Sequence, residues 1–157
     1  LPDVAIHSVE MREDADAEFG RRRCQGLANV TLHRGNGTFE VPRLALLAEP
    51  RRTAILCDGP KGAAAVSIVA HCFERYPHVA VGFIHDMRKL DHGKPSPLRA
   101  AAVTAFPGAR FSDHPRLVAG SQWMDAKVIE AGGPCGPAHE REFGSYGPTV
   151  GVFLNRR

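Results

Sequence analysis

The sequence predicts an α/β domain with a mostly parallel sheet that is covered by helices on both faces. Short apolar, β-branched segments alternate along the chain with longer segments of helical character, the pattern of strands joined by crossover helices. Two of the strand-like segments end abruptly in acids, at Asp58 and at His85-Asp86. The chain has 157 residues, of which 43% are hydrophobic, so it can form one domain with its own core but not two ordinary ones. We therefore expect a single domain over residues 1–157.

The first strand and the first helix are predicted at residues 4–9 and 12–25. Residues 4–9 are apolar and β-branched, and the segment ends in Glu10. Residues 12–25 are highly charged, as expected for a helix on the surface. The predicted buried stripe of this helix consists of Ala17, Phe19 and Cys24.

The second strand and the second helix are predicted at residues 29–33 and 38–48. The turn Gly35-Asn36-Gly37 closes the strand. Pro42 has no amide hydrogen to donate, so it is compatible with the helix only near the first turn.

The third strand and helix carry the most informative turn of the chain. Residues 53–57 form an apolar strand that stops at Asp58, and Gly59-Pro60 then forces a turn before the apolar helix 61–75. The fourth strand, residues 79–84, ends in His85-Asp86. Open α/β sheets bind ligands at the carboxyl ends of their strands, so both strand ends are candidate functional positions.

The C-terminal part of the chain contains shorter elements separated by Gly and Pro. The predicted elements are a loop at 91–97, helices at 97–106 and 115–120, and strands at 109–112 and 149–154. Residues 132–147 are rich in Gly and Pro, which predicts either a functional loop or a disordered one. As a functional loop, this segment is a candidate lid or substrate wall.

Composition and charge exclude several classes of function. The formal net charge is only +3, and no basic stripe with interleaved aromatic residues is present, which argues against a nucleic-acid partner. No apolar run is long enough to span a membrane, and no leader pattern is found. We expect a cytoplasmic protein with a small-molecule substrate, and the sequence leaves a homo-oligomer open.

The cysteines also favour a reducing compartment. Cys57 and Cys72 lie in apolar segments and are predicted to be buried free thiols. The four cysteines are far apart and form no Cys-x-x-Cys pair, which argues against a disulfide framework or a zinc site.

Two acids at strand ends have both functional and structural interpretations. Glu10 follows the first strand, where an acid commonly accepts hydrogen bonds from a ribose; alternatively, it is a solvated acid that starts the next helix. Asp58 either serves a ligand site or caps the following helix, whose first amides suit an anion. Lys61 either pairs with Asp58, holds a negatively charged substrate or is solvated.

The second strand end adds an imidazole and another carboxylate. If the strands 53–57 and 79–84 are neighbours, Asp58 and Asp86 lie a few ångströms apart. Two carboxylates beside His85 suit a hard divalent cation such as Mg²⁺, or general acid and base catalysis. Alternatively, one acid caps a helix and the other pairs with Arg88 or Lys89.

The other histidines carry weaker signals. His7, His33 and His71 are predicted to be packing residues inside strands or a helix. His92, His114 and His139 lie in predicted loops, and no spacing singles them out. The chain contains no His-Glu-x-x-His, Gly-x-Ser-x-Gly or P-loop pattern.

Taken together, these segments resemble the class I S-adenosylmethionine-dependent methyltransferases, which have a Rossmann-like sheet. The chain looks most like the branch whose fourth strand ends in Asp-Gly-x-Lys or Asp-Gly-x-His and whose fifth ends in His-Asp. The matching segments are Val9-Glu10, residues 29–37, Asp58-Gly-Pro-Lys61, Phe83-Ile-His85-Asp86 and residues 144–152. Residues 144–152 are similar to the last, hairpin-forming strand of that fold, so the last strand is expected to be antiparallel.

The resemblance implies both an activity and its site residues. It implies methyl transfer from S-adenosylmethionine to an oxygen or nitrogen of a small molecule. The implied cofactor-binding residues are Glu10 for the ribose, the turn Gly35, Asn36 and Gly37 beside the adenine, and Asp58. The implied catalytic residues are Asp58, Lys61, His85 and Asp86, and the implied ligands of Mg²⁺ or another divalent cation are Asp58 and Asp86.

The chain departs from the family pattern at two positions. The family's first strand and glycine-rich loop should precede Glu10 by about 20 residues, whereas nine residues precede it here. The sequence, which begins at Leu1-Pro2, therefore either lacks an N-terminal part or belongs to a domain that has lost cofactor binding. Met87 stands where the family often has asparagine. A non-catalytic methyltransferase-like partner or scaffold, and a Rossmann-like enzyme that binds phosphate at residues 59–62, remain alternative functions.

Overall fold

The structure, a computed structural model, describes residues 4–59, 62–91, 93–113, 130 and 149–156. The helices in these ranges are α1 (Ala15–Cys24), α2 (Gly37–Leu47), α3 (Ala63–Arg75) and α4 (Pro97–Ala105). The strands are β1 (Ile6–Glu10), β2 (Val30–Arg34), β3 (Thr53–Cys57), β4 (Val79–Ile84), β5 (Leu90–Asp91), β6 (Lys94–Pro95), β7 (Arg110–Phe111) and β8 (Gly151–Leu154). Lys61, His92, His114, His139, the predicted helix 115–120 and the loop 132–147 lie outside the described residues.

The fold is of the α/β class, but its sheets are small and mixed. Strands β1 and β2 form a parallel pair, here called the N-terminal pair. A second sheet, here called the central sheet, has the order β3-β4-β8-β7. In it β3 and β4 are parallel, whereas β8 is antiparallel to both β4 and β7. The antiparallel last strand is confirmed.

The expectation of one mostly parallel sheet is wrong for the described residues. Strand β1 pairs with β2 and β3 pairs with β4, and no hydrogen-bonded ladder joins β1 to β3 in the described part of the chain. The two sheets are therefore separate, and helix α2 contacts both β1 and α3. The structure also differs from the prediction of a loop at 91–97. This range contains part of a small antiparallel hairpin that β5 and β6 form.

Polar side chains begin three of the four helices in the described ranges. The side chain of Asp14 accepts a hydrogen bond from the amide of Ala17, which starts α1. Asn36 and Ser96 cap α2 and α4 in the same way. Helix α3 differs, because its N-cap is Gly62 with φ +77° and no side chain caps it. A positive φ favours glycine, which explains why the tight turn after β3 ends in this residue.

The hydrophobic core lies between α3 and the central sheet. Helix α3 buries Val66, Val69 and Phe73 on one face, together with Ala65, Ile68 and Cys72. Phe106 packs against Phe73 and against Phe153 of β8, with ring centroids 5.7 and 4.6 Å apart. No hydrophobic side chain before Ala45 is buried among the described residues. The core therefore stabilises the central sheet and leaves the N-terminal pair largely exposed.

Several burial predictions for the N-terminal part are wrong for this reason. Phe19 of α1 is largely exposed, and Ala17 and Cys24 are only half-buried, so the predicted stripe covers no core. His7 and His33 are not packing residues inside a core: their ring nitrogens lie 3.0 Å apart on the open face of the N-terminal pair.

Two predictions for the helices are also wrong. His71 is exposed on the outer side of α3. Pro42 lies inside α2, beyond its first turn, and it leaves the exposed Thr38 carbonyl without the usual helical donor. None of the helices in the described ranges has the length and apolar character needed to cross a membrane.

Candidate functional site

The parallel pairing of β3 and β4 brings together the polar residues that follow the two strands. Cys57 and Ile84, the last residues of the two strands, are opposite each other in the register. The amide of His85 donates to the carbonyl of Cys57 at 2.9 Å, which extends the pairing by one residue. Asp58 and Asp86 therefore emerge at the same carboxyl edge of the central sheet, as the sequence predicts.

Three side chains converge at this edge, and we call Asp58, His85 and Asp86 the carboxyl-edge cluster. The Nδ1 atom of His85 lies 2.9 Å from Oδ1 of Asp58 and 3.3 Å from Oδ1 of Asp86. One ligand atom from each residue lies within 4.8 Å of the other two. The Asp58 side chain is mostly exposed, while those of His85 and Asp86 are about one-third and one-quarter exposed, so solvent and small ligands reach the cluster from one side.

The contacts around His85 are close but poorly oriented for hydrogen bonds. Its Nδ1 atom is buried and makes no well-formed hydrogen bond to any group in the described ranges, despite the short distances to the two carboxylates. One imidazole nitrogen and two carboxylate oxygens therefore surround the same point. Both kinds of atom are common ligands of divalent metals. The arrangement fits a small cation.

Asp86 has an unusual backbone conformation for its residue type. Its φ is +61°, and it is the only non-glycine residue with positive φ among those described. Asp tolerates this left-handed region better than most residues, yet the conformation still carries a cost that the surroundings must offset. The guanidinium of Arg88 lies 3.7 Å from Oδ1 of Asp86, which matches the ion pair considered in the structural interpretation.

The other structural interpretations are wrong for the described residues. Asp58 does not cap α3, because the N-cap is Gly62 and that helix start has no side-chain cap. Lys89 does not pair with Asp86 but approaches Asp113 at 3.9 Å.

The N-terminal pair brings a second group of predicted residues together. The amide of Gly35 donates to the carbonyl of Glu10 at 3.1 Å, so the acid and the Gly35–Gly37 turn are adjacent at the carboxyl ends of β1 and β2. The carboxylate of Glu10 accepts a hydrogen bond from the Arg12 amide at 2.8 Å, and Asn36 caps α2. Glu10 and Asn36 thus have local structural roles beside the predicted cofactor-binding roles.

Two residues near the site were missed by sequence reasoning. Arg99 of α4 donates to the carbonyl of Met87 at 3.2 Å and to both carboxylate oxygens of Asp113. The sequence feature that could have pointed to Arg99 is that it is the one charged residue of α4. Its partner is 14 residues away in sequence, and no local pattern predicts that pairing.

The thiols of the core are free and chemically quiet. Burial raises the pKa of the Cys57 thiol to about 11, and burial together with the nearby Cys57 raises the pKa of Cys72 to about 11. Both thiols therefore stay protonated near neutral pH and are not nucleophiles there. The prediction of buried free cysteines at these two positions is confirmed.

None of the protein-family models, curated proteins or solved structures compared with the chain matches it.

Proposed function

We propose that this domain binds a divalent cation at the carboxyl-edge cluster and transfers a methyl group from S-adenosylmethionine to an oxygen or nitrogen of a small molecule. One observation carries the proposal: ligand atoms of Asp58, His85 and Asp86 converge within 4.8 Å at the carboxyl ends of two adjacent parallel strands. Ligand sites of open α/β sheets form at this edge.

The donor set favours a hard or borderline cation. Carboxylate oxygens suit Mg²⁺, and an imidazole nitrogen beside them extends the range to Mn²⁺. When bound, the cation would supply a positive charge that orients and polarises a substrate oxygen. Asp58 is the most exposed of the three side chains, so it is the one best placed to face the substrate.

The remaining chemistry belongs to the side chains of the cluster. If Asp58 and Asp86 alone hold the cation, His85 keeps a free ring nitrogen that can accept the proton of a substrate hydroxyl or amine. The sheet fixes the backbone of Asp58 and His85, so the acceptor would be held in a defined position against the methyl donor. Catalysis of this kind depends mainly on positioning.

The strand order supports the assignment of β1 to β4 to the second to fifth strands of the fold that the chain resembles. In a common doubly wound order, 3-2-1-4-5-6, the first strand lies between the second and the fourth. If β1 and β2 are the second and third strands and β3 and β4 the fourth and fifth, the first strand would lie between β1 and β3. The described sheets are divided at that position.

The residues present fit part of the cofactor. Glu10 and the Gly35–Gly37 turn would hold the ribose and adenine, since the pairing of β1 and β2 makes them adjacent.

Mn²⁺ binding, followed by electron paramagnetic resonance, tests the cation site. We expect the wild-type protein to bind Mn²⁺ and Asp86→Asn to lose at least tenfold in affinity. Asn tolerates positive φ as Asp does, so this variant removes the charge and keeps the turn. Asp16→Asn, at an exposed acid in the first turn of α1, is the matched control and should bind as the wild type does. Equal affinity in the wild type and Asp86→Asn would rule out the site.

Calorimetry with S-adenosylhomocysteine tests the cofactor. We expect the full-length protein to bind it, and Glu10→Gln to bind it more weakly because a neutral amide is a poorer acceptor for ribose hydroxyls. No binding by the intact protein would exclude methyl transfer and favour the non-catalytic module. A rise in melting temperature with phosphate that is abolished by Lys61→Ala would instead favour the phosphate-binding enzyme.

A further inference from the structure

We propose that the ion pair of Arg99 and Asp113 positions the carboxyl-edge cluster by holding the turn that follows β4. This inference rests on the proposed cation site. It identifies two residues outside the carboxyl-edge cluster that hold this site in place. Both are positioning residues, because Arg99 donates to the backbone of the turn and Asp113 holds the Arg99 guanidinium in place.

The guanidinium of Arg99 joins three elements of the fold. Its Nη1 atom donates to the Met87 carbonyl at 3.2 Å, and its Nη2 atom donates to Oδ1 of Asp113 at 3.0 Å. The same group lies over the ring of Phe111, 3.9 Å from the ring centroid. The pair therefore connects α4, the end of β7 and the residue that follows Asp86.

The turn needs such support because Asp86 has a positive φ. A non-glycine residue in a sparsely populated backbone region carries a conformational cost and persists only when its surroundings fix it. Met87, the next residue, is fixed at both backbone groups: its amide donates to the Thr149 carbonyl at 2.9 Å and its carbonyl accepts from Arg99. The Met87 side chain is fully buried.

The burial of the pair argues for a geometric role rather than for a gain in stability. The side chains of Arg99 and Asp113 are 18% and 5% exposed. Burying two charges costs desolvation energy, and a well-packed apolar pair of similar volume is often at least as stable. What an apolar pair cannot supply is a directional hydrogen bond to the Met87 carbonyl.

The test replaces both charges at once, Arg99→Met together with Asp113→Leu. A single substitution would leave one charge buried without its partner and would risk unfolding the protein. We expect the double variant to stay folded and to bind Mn²⁺ at least tenfold more weakly than the wild type. Phe106→Leu, a core substitution that leaves the turn contacts in place, is the control for a general loss of stability. It should keep the Mn²⁺ affinity of the wild type.

A second measurement needs no cation. The ¹³Cα and ¹³Cβ chemical shifts of Asp86 report its positive φ, and we expect them to change in the double variant but not in Phe106→Leu. Unchanged shifts, or wild-type Mn²⁺ affinity in the double variant, would overturn the positioning role. A wild-type protein that fails to bind Mn²⁺ would overturn the proposed cation site, and the Asp86 shifts would then decide the positioning role alone.

Discussion

The N-terminal pair and the central sheet begin with the same unit, two parallel strands joined through a helix, yet only one of them is buried. Strands β3 and β4 have α3 packed against them and contribute Ile55, Cys57, Val79 and Ile84 to the core. Strands β1 and β2 contribute no buried side chain. Parallel strands normally occur where both faces are covered. Hydrogen-bonded pairing is therefore not sufficient to build a stable half of this domain.

The location of the candidate sites follows the same division. The carboxyl-edge cluster is at the end of the packed strands, so its geometry is supported by the core. Glu10 and the Gly35–Gly37 turn are at the end of the exposed strands, where local opening needs less free energy. For the described residues we therefore expect the candidate cation site to be more rigid than the candidate cofactor-binding edge.

The largest expected effect comes from a matched pair of isoleucines. Ile84 of β4 is 1% exposed and Ile6 of β1 is 48% exposed. We expect Ile84→Ala to lower the free energy of unfolding by about 3 kcal/mol, since it leaves a cavity in the core, and Ile6→Ala to lower it by under about 1 kcal/mol. Denaturation with urea measures both. Similar losses at the two positions would mean that the N-terminal pair is packed as firmly as the central sheet.

A matched pair of glycines sharpens the same contrast through overpacking. A Cβ atom on Gly82 of β4 would lie 2.5 Å from Cγ1 of Val69, whereas one on Gly20 of α1 would meet no atom within 4 Å. We expect Gly82→Ala to destabilise the protein by about 1–3 kcal/mol, because Val69 is fully buried and has little room to move. Gly20→Ala should stabilise it by about 0.5–1 kcal/mol, since alanine favours the helix. Thermal unfolding of both variants is the measurement, and a stable Gly82→Ala would contradict the close packing of α3 on β4.

The cysteines give a smaller effect that depends on pH. The pKa of Cys57 and of Cys72 is about 11 in the folded protein, against an ordinary value of 9.0. Below pH 9 both thiols are protonated in the folded and unfolded states, so they add no pH dependence. Between pH 9 and pH 11 the unfolded chain loses these protons first, and stability falls by roughly 1 kcal/mol per pH unit for each thiol.

Urea denaturation from pH 8 to pH 11 measures this slope. Cys57→Ala should reduce it, because one of the two thiols is removed. At pH 8, alkylation should modify the half-buried Cys24 and leave Cys57 and Cys72 unmodified in the folded protein. A slope that Cys57→Ala leaves unchanged would show that other groups cause the alkaline loss of stability.

Sequence reasoning predicted the packed half of the domain well. The bounds of β3 and β4 agree with the predicted strands, because each is a continuous apolar run that ends at polar turn residues. The proximity of Asp58, His85 and Asp86 followed from the assumption that these two strands are parallel neighbours, which the structure confirms. Local patterns were sufficient here because the candidate residues lie directly at strand ends.

The rest depended on contacts that local patterns do not encode. Alternation of strands and helices does not specify which strands pair, so the division between β1 and β3 was not predictable. The exposure of Phe19 has the same origin, since an apolar residue is buried only where another surface covers it. The positive φ of Asp86 and the pairing of Arg99 with Asp113 depend on segments far apart in sequence.

The most direct test of the cation site is a Mn²⁺ titration of the ¹⁵N-labelled protein followed by NMR. Paramagnetic broadening marks the amides nearest to the bound ion. We predict that the amides of residues 57–59 and 84–87 broaden first, at substoichiometric Mn²⁺, while those around the exposed acids of β1 and α1 remain sharp. Broadening that starts at β1 and α1, or that spreads evenly over all acidic residues, would contradict a cation site at the carboxyl ends of β3 and β4.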